Sequence, residues 1–207
     1  MKHVAIGVHL RREDIEPLAT PIAAGDLFFS AVDVHDDQPL GDRDLLLRVA
    51  NIRAALLERA TFIAVRYGYT FAREVDAATL ARWKRILEAN RDRVEMTLKV
   101  AATAPRPRPD RSAFTSGADY LRALHAATQG AAADPRFRDE AERLLLPHAV
   151  QHRWTHRDEK SLELTLLVAR DKVDDVRQAG ADLKTTGVPF LLSGPWPLEV
   201  FADVDRE

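Results

Sequence analysis

Three histidines, His148, His152 and His156, recur every four residues, a spacing at which two imidazoles on a helix can share a metal ion. Pro147 discourages a helix into this segment. On a strand, four residues span ~13 Å, too far for two imidazoles to hold one ion at ~2 Å. The three are therefore expected to be surface or partly buried groups, and no metal is expected. A second cluster, Asp33, His35, Asp36 and Asp37, falls where a strand should run out into a loop, a common place for catalytic groups. Acid/base chemistry needs a partner within hydrogen-bond reach. The sequence shows no second half of a site, and acids at a strand end commonly form turns. The phosphate-loop and dinucleotide glycine patterns, the GxSxG elbow and the HExxH motif are all absent.

Two other segments suggest contact rather than catalysis. Val65-Arg66-Tyr67-Gly68-Tyr69 sets an arginine and two tyrosines around a glycine at the end of a strand, where they either meet a partner or pack over the core. Ser193-Gly194-Pro195-Trp196-Pro197 holds a tryptophan between prolines, which leave it little conformational entropy to lose. Such a tryptophan can anchor an interface or seal a domain junction, and the seal is the favoured expectation.

The elements that carry these groups follow from periodicity. Val4, Ile6, Val8 and Leu10 share one parity and predict a strand over 3–10, and Leu27 to Val34 a second, entered through a turn at Gly25-Asp26. Asp42 is the expected N-cap of a helix to about Arg59 with Leu45, Val49, Ile52 and Leu56 on one face. An inner strand at Phe62 to Arg66, a helix from Asp76 to Asn90 and a strand from Val94 to Ala101 follow. Prolines alternate through TAPRPRPDRS, residues 103–112, which reads as a solvated linker and sets the expected domain boundary.

Beyond it, Ser116 should cap a helix ending at Gly130, and Asp134-Pro135 should open another that stops near Pro147. Strands are expected over 149–155 and 162–169, then a helix capped by Asp171 and a last buried strand at 188–192. The expected fold is α+β, with domains at 1–104 and 105–207, the second with a helical lead-in. Each is a mainly antiparallel sheet packed against helices, with ferredoxin-like elements.

Composition narrows the function. The 207 residues are 46% hydrophobic and 30% charged, the balance of a globular protein. Thirty basic against 32 acidic residues give a net charge of -2, with no stripe or drive toward nucleic acid. The absence of cysteine excludes disulfides and thiolate chemistry. No apolar run approaches the ~20 residues of a membrane span, and the N-terminal run is too short for a signal peptide. A cytoplasmic location is expected.

At the two contact segments the sequence resembles the GvpF/GvpL family of gas vesicle proteins. LLSGPWPLEVF, Leu191 to Phe201, is similar to the family's closing L-T-G-P-W-P-P-Y-S-F, and AVRYGYTF, Ala64 to Phe71, to its P-L-R-F-G-T-V-F. VEMTLKV (94–100), GADYLRAL (117–124), GDLFFSAV (25–32) and LLVARDKVDDV (166–176) resemble further family stretches, in the same order along the chain. Met96 stands where the family commonly has Trp, and Leu198-Glu199 replace its Pro-Tyr.

The resemblance implies a non-enzymatic accessory or minor structural protein of gas vesicle assembly, without cofactor. It would be associated with the vesicle and bind the small hydrophobic wall protein and other accessory proteins. Arg66, Tyr67, Tyr69, Trp196 and Phe201 are the candidate partner-binding residues, flanking an expected groove between the domains. The alternative is a ferredoxin-like enzyme or small-molecule-binding protein using Asp33, His35 and Asp36, converging with His3 or His9 in a closed pocket.

Overall fold

The structure, a computed structural model, describes residues 1–70, 75–100, 109–128, 135–158, 161–183 and 188–202. The chain forms two compact units, one of Met1–Val94 with Trp196–Glu207 and one of Glu95–Pro195.

The first unit holds β1 (Lys2–His9), β2 (Thr20–Ala24), β3 (Leu27–Val34), α1 (Arg43–Arg59), β4 (Ile63–Ala64) and α2 (Ala77–Ala89). Its sheet runs β2-β3-β1-β4, antiparallel throughout. The β2–β3 hairpin turns at Gly25, whose φ of 58° favours a residue without a Cβ. Both helices start where carboxylates meet orphan amides. Asp42 accepts from Leu45 N and Asp76 from Thr79 N, each at 2.9 Å. Ile6, Phe29, Leu45, Leu56, Phe62 and Leu87 are buried in the core, each contributing about 1.5–3 kcal/mol.

The second unit holds β5 (Arg93–Val100, entered from the first), α3 (Gly117–Thr128), α4 (Pro135–Leu145), β6 (Ala149–Asp158), β7 (Ser161–Ala169), α5 (Val173–Leu183) and β8 (Phe190–Trp196, whose last residue belongs to the first unit). Its sheet runs β6-β7-β5-β8. Helix α5 buries Val176, Gly180 and Leu183, and a Cβ on Gly180 would run into the Leu192 side chain. Ser116 accepts from Asp119 N at 3.1 Å and donates to that carboxylate, capping α3.

The α+β class, with a sheet and helices in each half, is the one expected. Several details differ. The compact units do not follow the 1–104 and 105–207 division, because β5 finds its neighbours in the second sheet and the chain end returns to the first unit. β2 was not anticipated: TPIAA alternates weakly and contains a proline, which an edge strand tolerates. The inner strand expected at 62–66 is a two-residue edge strand, and β8 is also an edge. Asp171 lies in a 3-10 turn, Arg170–Lys172, ahead of α5 rather than at its cap. Residues 103–108 of the proline segment, Gly130 and Asp134 lie outside the described residues.

Candidate functional site at the edge of the first sheet

The open side of β4 is closed by the returning chain end. Leu198 N donates to Phe62 O at 2.9 Å and Ala64 N donates to Leu198 O at 2.8 Å, forming a parallel bridge to Ile63. Pro197 and Leu198 are buried, whereas Trp196 just before them keeps 48% of its surface exposed. The two segments run in the same direction at this bridge, and Phe201, in the turn that follows, is half-buried.

That loop is a tight turn, with Tyr69 N donating to Arg66 O at 3.2 Å and Gly68 at a φ of 87°. It returns along β1 through Ala5 N to Tyr69 O at 3.0 Å. The two tyrosines face inward. Tyr67 donates its hydroxyl to Leu40 O, and burial, then the Asp42 carboxylate, raises its pKa. Tyr69 lies parallel to Phe29, 6.4 Å between ring centres, and Phe29 meets Trp83 edge-on at 6.2 Å. Arg66 is exposed. The loop after β4 thus exposes the Arg66 guanidinium, the returning segment exposes about half of the Trp196 side chain, and Tyr67 and Tyr69 are each held by their own contacts.

Arg53, which the sequence reading missed, ties this edge to α1. Its guanidinium donates to Val65 O at 2.8 Å and Ile6 O at 3.2 Å. Burial lowers its pKa and the Glu199 carboxylate on the returning segment opposes that shift. The available signal was a charge four residues after Val49 and three before Leu56, within the apolar stripe of the helix.

The acid/base candidates take other positions. His3 Nδ1 lies 2.7 Å from Asp33 Oδ1, and Thr20 donates to Asp33 Oδ2 at 3.2 Å, but the histidine and aspartate are 44% and 37% exposed. Asp36 pairs with the N-terminal amine at 2.8 Å, which holds its carboxyl below the usual range, and His35 is exposed. His9 points into the core, away from this cluster, stacked on Phe62 at 4.8 Å. These groups do not converge in a closed pocket. A cleft of about 400 Å³ near Arg59, Thr61 and Arg91 has mixed charges, with Arg11 on Asp14 at 2.8 Å and Lys84 on Asp26 at 2.6 Å. His148 sits in the turn before β6 and His152 and His156 on that strand; among the described residues no three His, Cys, Asp or Glu side chains gather around a possible ion. No helix among the described residues is long and apolar enough to cross a membrane.

Comparison with known proteins bears on this architecture. A search of curated proteins finds no match. The crystal structure of gas vesicle protein GvpF from Microcystis aeruginosa superposes with a TM-score of 0.73 at 9% identity, covering 98% of this chain and 99% of that one. GvpF from Anabaena sp. PCC7120 gives 0.70 at 9% identity, with 99% of each chain covered. At that identity the likeness establishes the fold. Membership rests on the family model for gas vesicle synthesis protein GvpL/GvpF, which matches residues 16–202, from before the first hairpin to beyond the Gly-Pro-Trp-Pro segment. The chain belongs to the GvpL/GvpF family of gas vesicle synthesis proteins, and its role is a gas vesicle role.

Proposed function

We propose that this protein is an accessory or minor structural component of gas vesicle assembly that binds the small hydrophobic wall protein at the β4 edge. The observation that carries this reading is Trp196: a large apolar side chain, half exposed, in an extended segment anchored by buried Pro197 and Leu198. Such an anchor binds with little loss of rotamer freedom. Arg66, in the loop after β4, and Phe201, in the turn after Leu198, are proposed to extend the same contact surface. Tyr67 and Tyr69 support it from beneath, so they act on shape more than by contact.

A wall that excludes water is built from subunits that expose apolar surface before assembly, and such surface aggregates unless covered. Covering it is the task that fits this edge. Coexpression with the wall protein tests the reading. The wild-type chain should copurify with the wall protein and raise its soluble yield, and Trp196→Ala should cut recovery at least about tenfold, the effect of losing a hot-spot side chain. Wild-type chain that neither copurifies nor solubilises the wall protein would refute direct binding.

A further inference from the structure

Helix α1 carries a second exposed apolar face that the function above does not use. Leu46 and Leu47 are 42% and 52% exposed, and Ala50 and Ala54 continue the surface along the next two turns. Arg43 and Glu58 stand at its two ends, both exposed, and among the described residues neither has an ion pair. Helical spacing puts Arg43, Leu47, Ala50, Ala54 and Glu58 on one stripe, with Leu46 beside it.

The order of these residues is self-complementary under antiparallel pairing. With a two-fold axis beside Ala50, Leu47 of one copy falls on Ala54 of the other, a large side chain against a small one. Arg43 then falls on Glu58 of the second copy, at both ends. A two-fold interface requires this reciprocity, in which each contact occurs twice. The charges give a second, independent argument. A cation in the first turn and an anion in the last oppose the dipole of their own helix, while Asp44 and Arg59 satisfy it. Beside an antiparallel copy, Arg43 meets the partner's negative C-terminal end and Glu58 its positive N-terminal end. The alanines allow the helix axes to approach to about 8 Å.

We infer that α1 is a homodimerisation surface, in which two copies of this chain pair their α1 helices antiparallel about a two-fold axis. One helix face from each copy is small beside the about 1,200–2,000 Å² of a standard stable interface, so the association is weak, in the micromolar range. It is independent of wall-protein binding at the β4 edge.

Sedimentation velocity of the full chain from about 1 to about 300 µM tests it, a range that brackets micromolar association. The dimer fraction should rise with concentration and fall with salt. Leu47→Glu should leave the protein monomeric throughout with an unchanged circular dichroism spectrum. Arg43→Glu should weaken association about tenfold, and the double exchange Arg43→Glu with Glu58→Arg should recover part of it, because antiparallel pairing rebuilds the ion pairs while each charge now faces the like end of the partner's dipole. A protein monomeric at every concentration, a dimer indifferent to Leu47→Glu, or an exchange no better than the single reversal overturns the inference. Loss of wall-protein copurification in Leu47→Glu without any self-association also overturns it, and assigns the face to the wall protein. Trp196→Ala should lose the wall protein and keep the dimer.

Discussion

His9 has the strongest pH consequence of any single residue described. Ser30 has one hydroxyl proton, and Gly7 O takes it at 3.3 Å, so Ser30 Oγ accepts from His9 Nε2–H at 3.0 Å. Nδ1 is left as a bare, buried nitrogen. Burial pushes the pKa from 6.5 down to about 3. The unfolded chain takes up this proton near pH 6.5 and the folded chain only near 3. Between those values the unfolded state binds more protons, so stability is full above about 6.5 and falls as pH drops, by up to about 1.4 kcal/mol per pH unit. Urea midpoints measured between pH 4 and 7 should fall toward acid more steeply for wild type than for His9→Phe, which cannot titrate. Equal slopes would mean that His9 is protonated without penalty in the fold. None of this was legible beforehand, since His9 shares its strand with Val4, Ile6 and Val8 and only tertiary packing distinguishes a buried imidazole from an exposed one. Gly194 was half legible. Its φ of 124° and the closeness of Met96 Sδ and Glu95 O to any Cβ, 2.8 and 2.9 Å, give the glycine of Gly-Pro-Trp-Pro a packing reason that sequence could flag but not explain.

Among elements, the two helices of the first unit were readable almost to the residue because their ends are local chemistry, whereas α5 starts after a 3-10 turn that its Asp171 only enters. Asp42 and Asp76 cap as expected, and Asn90 closes α2. Strand partners were not readable, because pairing is set by contacts distant in sequence. β5 has the clearest alternation in the chain, yet nothing within it states that its neighbours are β7 and β8. The β4 edge is a similar case: its two segments were each recognisable as unusual, while the half-buried arginine that ties the loop after β4 to α1 looked like an ordinary helical charge. Arg53→Met keeps the aliphatic packing of that side chain and removes both donors, leaving Val65 O with no donor among the described residues. It should destabilise the first unit by about 1–2 kcal/mol, net of the relief from desolvating a charge. The unfolding midpoint and hydrogen exchange at Val65 to Tyr69 report on it; an unchanged midpoint with unchanged exchange would show that the loop is held by Tyr67 and Tyr69 alone.

At the scale of the whole molecule, the chain leaves the first unit after Val94 and re-enters it at Trp196, so the first unit is discontinuous in sequence. The 103–112 prolines mark a local break in chain character, and local breaks report nothing about a segment that returns ninety residues later. The returning segment contributes Leu198 and Ala202 to the core and two backbone hydrogen bonds to the β4 edge. Losing a fully buried leucine costs about 2–5 kcal/mol by itself, a large share of the 5–15 kcal/mol that a domain has. A fragment of residues 1–104 should therefore be poorly folded, with collapsed amide dispersion in NMR spectra and exposed apolar surface at β4. A chain in which residues 1–94 are joined to 196–207 through a flexible linker should recover dispersion and cooperative unfolding. If 1–104 folds as stably as the linked form, the first unit is continuous and the returning segment only decorates it. If the linked form folds and the short fragment does not, the segment that carries Trp196 is also the one that completes its own platform, and removing it would abolish both the candidate contact surface and the sheet beneath it.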